Sequence, residues 1–191
     1  MVNFHIEYKG QKKTYSLPSS WEEVTVQQFI ALEVSGGYQG KYVQLLQDLT
    51  GAPLPVIQNT KTDLQLQIRS ALEFIITKPP NWNKLARRDK YKFKGAFFEV
   101  PENLELETAL QKILVQNKLN STKNVAECIP YVIAVYMQKV INGYFDEQKA
   151  AVLEEEVLQM PIVEMFSLAT FFFRRLLKYK RGGIPGLKLY L

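Results

Sequence analysis

A short pattern occurs twice in this chain and constrains the order of its secondary structure. Residues 8–28 read YKGQKKTYSLPSSWEEVTVQQ, and residues 93–111 read FKGAFFEVPENLELETALQ. In each copy an aromatic-Lys-Gly turn leads to a short apolar strand, then a proline, then a Thr-x-x-Gln pair. Proline ends a strand because it cannot donate to the ladder, and the Thr-x-x-Gln pair is typical of a helix start. The pattern predicts two hairpins, each followed by a capped helix.

Side chains at fixed positions after each proline have structural roles in this interpretation. Each Thr-x-x-Gln pair is predicted to form a capping box, and the bulky residue three positions after the proline is predicted to fill the gap between hairpin and helix. These residues are Trp21, Thr25 and Gln28 in the first copy and Leu104, Thr108 and Gln111 in the second. An internal duplication and the chance recurrence of a common local motif both explain the pattern.

The rest of the chain shows mainly helical periodicity. Predicted helices cover residues 26–34, 40–49, 63–76, 102–118, 125–142, 146–159 and 161–180, with a rigid loop at 53–55 and the turn of the second hairpin at Gly95-Ala96. We therefore predict an α+β fold, predominantly helical, with two short β-hairpins. The predicted division is 1–80, a hairpin plus helices, and 81–191, a second hairpin plus a helical bundle, unless both form one compact domain.

The composition is that of a globular protein with a mild positive charge. Of the 191 residues, 47% are hydrophobic and 23% are charged, which provides enough apolar surface to offset the entropy lost on folding. The formal net charge of +5 favours contact with an acidic surface, but it is too small to establish nucleic-acid binding by itself.

Residue types that commonly perform catalysis or bind metals are scarce. The chain has one cysteine, Cys128, in an apolar run, and one histidine, His5, in a predicted strand. A single cysteine excludes a disulfide within the chain and favours a reducing compartment. One cysteine and one histidine do not make a zinc site without carboxylates, so we predict no metal, no cofactor and no catalytic residue.

Two further segments resemble functional motifs only in part. Residues 35–41, SGGYQGK, are glycine-rich, but Tyr42 stands where a phosphate-binding loop needs serine or threonine, so a flexible helix connection is preferred. Residues 154–156 are glutamates that point about 100° apart on a helix and therefore do not form a facing acid–base pair. They are predicted to form a solvated helix face, with an acidic patch for a basic partner as the alternative. We expect no enzymatic activity.

Two basic regions could contact another macromolecule. In the first, cations alternate with Trp82, Tyr91 and Phe93, a combination that can hold phosphates and stack on bases. The second ends the last predicted helix, where cations also satisfy the helix dipole and the final carbonyls. The residues predicted to contact DNA or an acidic protein surface are Lys84, Arg87, Arg88, Lys90, Lys92, Lys94, Arg174 and Arg175.

The C-terminal part of the chain is more apolar than one subunit is expected to bury. Residues 166–179, FSLATFFFRRLLKY, are apolar nearly all round, and the tail IPGLKLYL extends this character. Such a helix belongs to a core or to a subunit interface, and a chain of this size rarely buries every side of a helix. We predict an oligomer interface at Phe166, Phe171, Phe172, Phe173, Leu176, Leu177, Leu187, Leu189, Tyr190 and Leu191.

Two apolar runs fall short of the requirements of a membrane span. Residues 129–137 are too few to cross a bilayer, which needs about 20 apolar residues. Residues 160–173 carry Glu164 near their middle and are followed by Arg174 and Arg175. Both runs are predicted to be core helices, and no membrane contact is expected.

Residues 15–32, YSLPSSWEEVTVQQFIAL, resemble the start of small structural or assembly proteins of tailed bacteriophages, particularly crAss-like phages of Bacteroides-type hosts. Those proteins also open with a short hairpin, followed by Leu-Pro, a tryptophan and a Thr-x-x-Gln pair. The resemblance is confined to this N-terminal segment. The matching positions are Leu17, Pro18, Trp21, Glu23, Val24, Thr25, Gln28 and Phe29.

The resemblance implies a role in the virion, or in the host cytoplasm during its assembly. One version is a ring or adaptor protein of the portal–tail (head-to-tail connector) region, a homo-oligomer bound to other phage structural proteins. The alternative is a tail assembly chaperone that holds the tape measure protein. From the residues themselves, a nucleic-acid-binding protein that uses residues 82–94 is a further alternative.

Overall fold

The computed structural model describes residues 1–34, 42–78, 80–85, 90–100 and 108–179, with the side chains of residues 42, 76 and 175–179 left undescribed. The chain forms two compact units, Met1–Pro80 and Asn81–Leu191. The fold is α+β and mostly helical, with two antiparallel two-stranded sheets, so the predicted fold class is confirmed.

The first unit contains β1 (Val2–Tyr8), β2 (Gln11–Leu17), α1 (Val26–Val34), α2 (Tyr42–Thr50), α3 (Leu54–Gln58), α4 (Thr62–Ala71) and α5 (Phe74–Thr77). The described part of the second contains α6 (Trp82–Leu85), β3 (Tyr91–Phe93), β4 (Ala96–Phe98), α7 (Ala109–Ser121), α8 (Ile129–Asn142), α9 (Glu147–Leu158) and α10 (Ile162–Tyr179).

The first hairpin follows the alternation of its sequence. Phe4, Ile6 and Leu17 are buried on one face, because strand side chains alternate between the two faces of a sheet. The two-residue turn consists of Lys9 and Gly10, both with positive φ (51° and 72°), as a type I′ turn requires. The predicted hairpin is confirmed.

The loop predicted at residues 53–55 is wrong, because α3 begins at Leu54 and includes Pro55. Proline is tolerated in the first turn of a helix, where its missing N–H would have no partner within the helix. Val56 and Ile57 are buried, so this short helix contributes to the core of the first unit.

The single helix predicted over 63–76 is also wrong, since α4 ends at Ala71 and α5 begins at Phe74. Leu72 and Phe74 are both buried. In a continuous helix, residues two apart point in nearly opposite directions. The break lets both side chains enter the core, where the Phe74 ring meets Trp21 edge-to-face at 6.0 Å between centroids.

The turn of the second hairpin lies at Lys94-Gly95 rather than at Gly95-Ala96. In the observed register Phe93 pairs with Ala96, and Tyr91 and Phe93 share one buried face. A turn at Gly95-Ala96 would shift the register by two residues and pair Phe93 with Phe98, but each strand would keep its faces. Lys94 and Gly95 both have positive φ (49° and 79°), as a two-residue type I′ turn requires.

Helix α8 is central to the second unit. Residues 132–138 are all buried, and α8 contacts α7, α9 and α10. It begins at Ile129 with Pro130 in its first turn, after a short 3-10 turn, Val125–Cys128.

The start of α9 is capped. The side chain of Asp146 accepts hydrogen bonds from the N–H groups of Gln148 and Lys149.

Candidate protein-binding surfaces

Helix α7 carries apolar side chains on two different faces. Val115 and Leu119 are buried with Gln111 on the face toward the core. Leu110 and Ile113 are 50% and 55% exposed, and they share another face because residues three apart on a helix are neighbours. A helix of an isolated domain normally buries a single apolar stripe. The exposed pair, called the α7 outer face below, is therefore a candidate contact surface.

The capping box at the start of α7 fixes the orientation of this outer face. The N–H of Gln111 donates to Thr108 Oγ1 at 3.2 Å, and the N–H of Thr108 donates to Gln111 Oε1 at 2.9 Å. Gln111 Nε2 donates to the main-chain carbonyl of Val135 in α8 at 3.0 Å. Because Gln111 is fully buried, this amide restrains rotation of α7 about its axis. Leu110 and Ile113 are thereby kept on the outside.

The capping box predicted in the first unit is present as well. Thr25 and Gln28 exchange the same two hydrogen bonds, at 3.0 and 3.2 Å. Gln28 Nε2 donates to the carbonyl of Leu49 at the end of α2, at 2.8 Å. Trp21 opens a 3-10 turn between hairpin and α1, whereas its predicted counterpart Leu104 lies outside the described residues.

Leu110 and Ile113 are absent from the predicted interface, although the sequence contains a signal for them. Six of the eleven residues from Ala109 to Leu119 are apolar, and their spacing places Leu110 and Ile113 on a different face from Val115 and Leu119. This spacing indicates a second apolar face. Sequence alone does not show which of the two faces is buried.

The expected interface on the last helix is wrong for Phe172 and Phe173, which are 1% and 2% exposed in a single copy of the chain. Phe172 stacks on Tyr136 of α8 at 4.8 Å between ring centroids. The half-buried Phe171 contacts Tyr91 of β3, at 5.4 Å. Helix α8 and the second hairpin therefore contact part of the apolar surface that is predicted to form an interface.

Of the remaining predicted interface residues, only Phe166 has a described side chain. Phe166 is half-buried against Trp82 of α6, with 4.4 Å between the ring centroids. The side chains of Leu176 and Leu177 are not described, and Leu187, Leu189, Tyr190 and Leu191 lie outside the described residues.

Lysines of the first basic region pair with carboxylates of the same unit. Lys92 Nζ lies 2.7 Å from Glu164 Oε1, and Lys94 pairs with Glu156 of α9. Lys90 lies 3.4 Å from Glu99 in a more exposed pair. These pairs reduce the positive charge that the region presents to a polyanion.

Two of the other predicted basic residues, Lys84 and Arg174, have described side chains. Lys84 is exposed and Arg174 is half-buried. Arg87 and Arg88, like the glycine-rich segment 35–41, lie outside the described residues, and the side chain of Arg175 is not described.

The acidic run of α9 is partly neutralised. Glu154 lies 3.4 Å from Lys118 of α7, and Glu156 is the partner of Lys94. The ammonium of Lys118 also lies 5.2 Å from the ring centroid of Tyr131. The run thus ties α9 to α7 and to the second hairpin.

Cys128 is enclosed in the core of the second unit. The residue is 1% exposed, and burial raises the pKa of its thiol above the ordinary value. A nucleophilic cysteine needs an accessible thiolate, so this environment favours the protonated, inert form. The chain's one histidine, His5, belongs to the first unit, where its Nδ1 lies 2.8 Å from Thr14 Oγ1.

Neither the described structure nor the comparisons with known proteins identify a membrane span, a metal site or a family for this chain. Among the described residues, no helix is both long and apolar enough to cross a bilayer. The same part of the chain holds no group of three or more His, Cys, Asp or Glu residues placed to bind a metal ion. No protein-family model, curated protein or solved structure matches the chain.

Proposed function

We propose that this chain is a non-enzymatic structural protein of a tailed phage virion, such as a ring or adaptor protein of the head-to-tail connector. Two observations support the proposal. The segment around Leu17, Pro18 and Trp21 resembles the start of such phage proteins. The α7 outer face offers an apolar surface to a protein partner.

The occupant that we propose for the α7 outer face is a second copy of the same chain. One helix of 13 residues with two exposed large apolar side chains covers much less area than the roughly 1,200 Å² that a stable interface buries. Copies should therefore associate weakly when dilute and firmly when they are held close together. A particle that fixes many copies side by side provides that local concentration.

The form of the assembly depends on what the α7 outer face meets. If it meets the same face of the next copy, the contact closes a two-fold pair. If it meets a different surface, repetition of the contact produces a ring when the rotation between copies closes, and an open filament when it does not. The connector proposal requires the second arrangement, which cross-linking at residue 110 would identify from the partner residue attached to it.

Mass spectrometry of purified virions tests the proposed location. The expected result is that the protein is present in mature particles in a fixed ratio to the portal and tail proteins. A protein found in infected cells with the tape measure protein, but absent from particles, would contradict the proposal in favour of an assembly chaperone. Loss from particles after washing in high salt would instead indicate an attachment held mainly by charge rather than by the α7 outer face.

Variants of the phage gene test whether incorporation of the protein into particles depends on the α7 outer face. Leu110→Glu combined with Ile113→Glu places two charges on the α7 outer face and should exclude the protein from particles. Leu66→Glu is the control, because Leu66 is 58% exposed on α4 and its helical neighbours Thr62, Asp63, Arg69 and Ser70 are polar. Normal incorporation of the double variant would contradict a role for the α7 outer face.

A further inference from the structure

The first hairpin forms one wall of a small cavity, called the hairpin pocket below. Its volume is about 230 Å³. Ile6 of β1 and Val56 of α3 are buried and form an apolar floor. Polar side chains of the hairpin complete the lining: Tyr8, Lys9, Gln11, Lys13 and Tyr15.

Strand register explains why these side chains converge. Tyr8 lies opposite Gln11, Ile6 opposite Lys13, and Phe4 opposite Tyr15. Directly opposed residues of an antiparallel pair point to the same face, so the aromatic and basic residues share the side that packs on α3. The other face carries Asn3, His5, Glu7, Lys12, Thr14 and Ser16.

The aromatic wall is held in place by its neighbours. The Tyr15 ring stacks on buried Phe4, with 5.8 Å between centroids and 28° between ring planes. The ammonium of Lys9 lies 5.4 Å from the centroid of the half-buried Tyr8 ring. Both rings line the cavity, and because these contacts already restrain them, binding there costs little further side-chain entropy.

The charge of the hairpin pocket is one-sided. Lys9 and Lys13 contribute two cations, and no carboxylate is among the described residues that line the cavity. Glu7 is the one acidic residue between positions 1 and 17, and it lies on the opposite face, across from Lys12. A pocket with two cations and no acid attracts a negatively charged group.

The second hairpin provides an internal comparison. Its turn lysine, Lys94, occupies the same position as Lys9 but pairs with Glu156, and Lys92 pairs with Glu164. Neither Lys9 nor Lys13 forms an ion pair with a described carboxylate of the first unit. The first hairpin therefore keeps a positive charge that the second neutralises.

We infer that the hairpin pocket binds an acidic peptide segment of a partner protein, with an apolar side chain on the floor and its flanking carboxylates at Lys9 and Lys13. The cavity is smaller than the roughly 300 Å³ at which small-molecule pockets begin, and it suits one anchoring side chain. Nucleic acid would require cations that follow an extended backbone rather than two lysines around one apolar pocket. This inference is independent of the α7 outer face, which belongs to the other unit.

Nuclear magnetic resonance titration of the full chain tests the inference. The probes are acetylated pentapeptides with leucine or phenylalanine between two pairs of glutamates, and matched peptides with glutamines instead. The glutamate peptides should shift the resonances of Tyr8, Gln11, Lys13 and Tyr15, with dissociation constants at least about tenfold lower than those of the glutamine peptides.

Adjacent lysines of β2 supply the matched variants. Lys13 lines the hairpin pocket, whereas Lys12 is exposed on the opposite face of the same strand. Lys13→Glu should weaken binding of the glutamate peptides by about tenfold or more, and Lys12→Glu by less than about twofold. Both substitutions change the net charge equally, so their difference isolates the pocket.

Three outcomes would overturn the inference. One is that no peptide shifts the resonances of the pocket residues at concentrations up to about 10 mM, where even very weak binding is detected. Another is an equal effect of Lys12→Glu and Lys13→Glu, which would indicate general charge attraction. The third is a single-stranded oligonucleotide that shifts the same resonances at lower concentration than the peptides, which would assign the surface to nucleic acid.

Discussion

The buried side-chain amide of Gln111 donates a hydrogen bond to the main-chain carbonyl of Val135, 3.0 Å away in the neighbouring helix. In the first unit, Gln28 makes the equivalent bond to Leu49 at 2.8 Å. Each glutamine also completes the capping box of its own helix. One amide group thus satisfies a helix start with its oxygen and holds a second helix with its nitrogen.

The pattern that occurs twice in the sequence also has similar hydrogen bonds in the two units of the structure. Each unit has a two-residue Lys-Gly turn with positive φ, and later a capped helix whose glutamine bonds to the next helix. A recurrence of local motifs by chance accounts for the turn and the cap separately. Hydrogen bonds of the same type between different helices, 21 and 24 residues apart, favour an internal duplication.

Gln111→Leu should lower the free energy of unfolding by about 2 kcal/mol, because it removes a capping-box acceptor and an interhelical donor from a fully buried position. Chemical denaturation monitored by circular dichroism measures the change. Gln28→Leu is the control at a half-buried site and should cost about half as much. Equal, small losses for both variants would show that the amide of Gln111 does not hold α7 to α8.

Lys9→Asn should raise the stability of the chain by about 0.5 kcal/mol, since Asn adopts positive φ at lower cost than Lys. Lys94→Asn relieves the same backbone strain but also removes the ion pair with Glu156, so its gain should be smaller. Thermal unfolding of the two variants side by side measures both effects. A loss of stability in Lys9→Asn would contradict the type I′ turn.

Lys92 and Glu164 should show measurable coupling in a double-mutant cycle with Lys92→Met and Glu164→Gln. Their 2.7 Å contact is partly shielded, but the lysine remains 41% exposed, so the expected coupling is at most about 1 kcal/mol and falls as salt rises. The exposed pair of Lys90 and Glu99 is the control and should show no measurable coupling. Similar coupling in the two pairs would mean that burial does not strengthen the first.

Cys128 should make the folded state less stable at alkaline pH. Burial raises the pKa of the folded thiol, so above the ordinary thiol pKa, about 8.5, the unfolded chain releases a proton that the folded chain keeps. The stabilisation from this group is fully present at neutral pH, and it is lost as the pH rises from the pKa of the unfolded thiol to that of the folded thiol. Unfolding at pH of about 7.5 and about 9.5 should show a larger decline in the wild type than in Cys128→Ala. Parallel declines would contradict the enclosed thiol.

The features predicted correctly from sequence are those set by neighbouring residues. The capping pairs Thr25/Gln28 and Thr108/Gln111 and the alternation of the first hairpin each depend on a few consecutive side chains. Local rules failed where the core decided the outcome. The separation of α4 from α5 satisfies the burial of Leu72 and Phe74, which no local pattern of residues 63–76 reveals.

The charge and burial of the proposed surfaces could not be predicted from the sequence, because they depend on residues that are far apart along the chain. Lys92 and Glu164 are 72 residues apart, so the neutralisation of the basic region follows only from the tertiary fold. Phe172 and Phe173 are buried within one copy of the chain, whereas Leu110 and Ile113 of α7 are exposed. Periodicity identifies an apolar face but does not identify what packs against it.

Sedimentation velocity of the purified chain over a wide concentration range tests the central claim most directly. From about 5 μM to about 500 μM, the wild type and Leu66→Glu should shift reversibly to larger species, because the α7 outer face forms a small and therefore weak contact. The combined Leu110→Glu and Ile113→Glu variant should remain monomeric throughout. A wild type that stays monomeric at the highest concentration, or a double variant that associates as the wild type does, would contradict assembly through the α7 outer face.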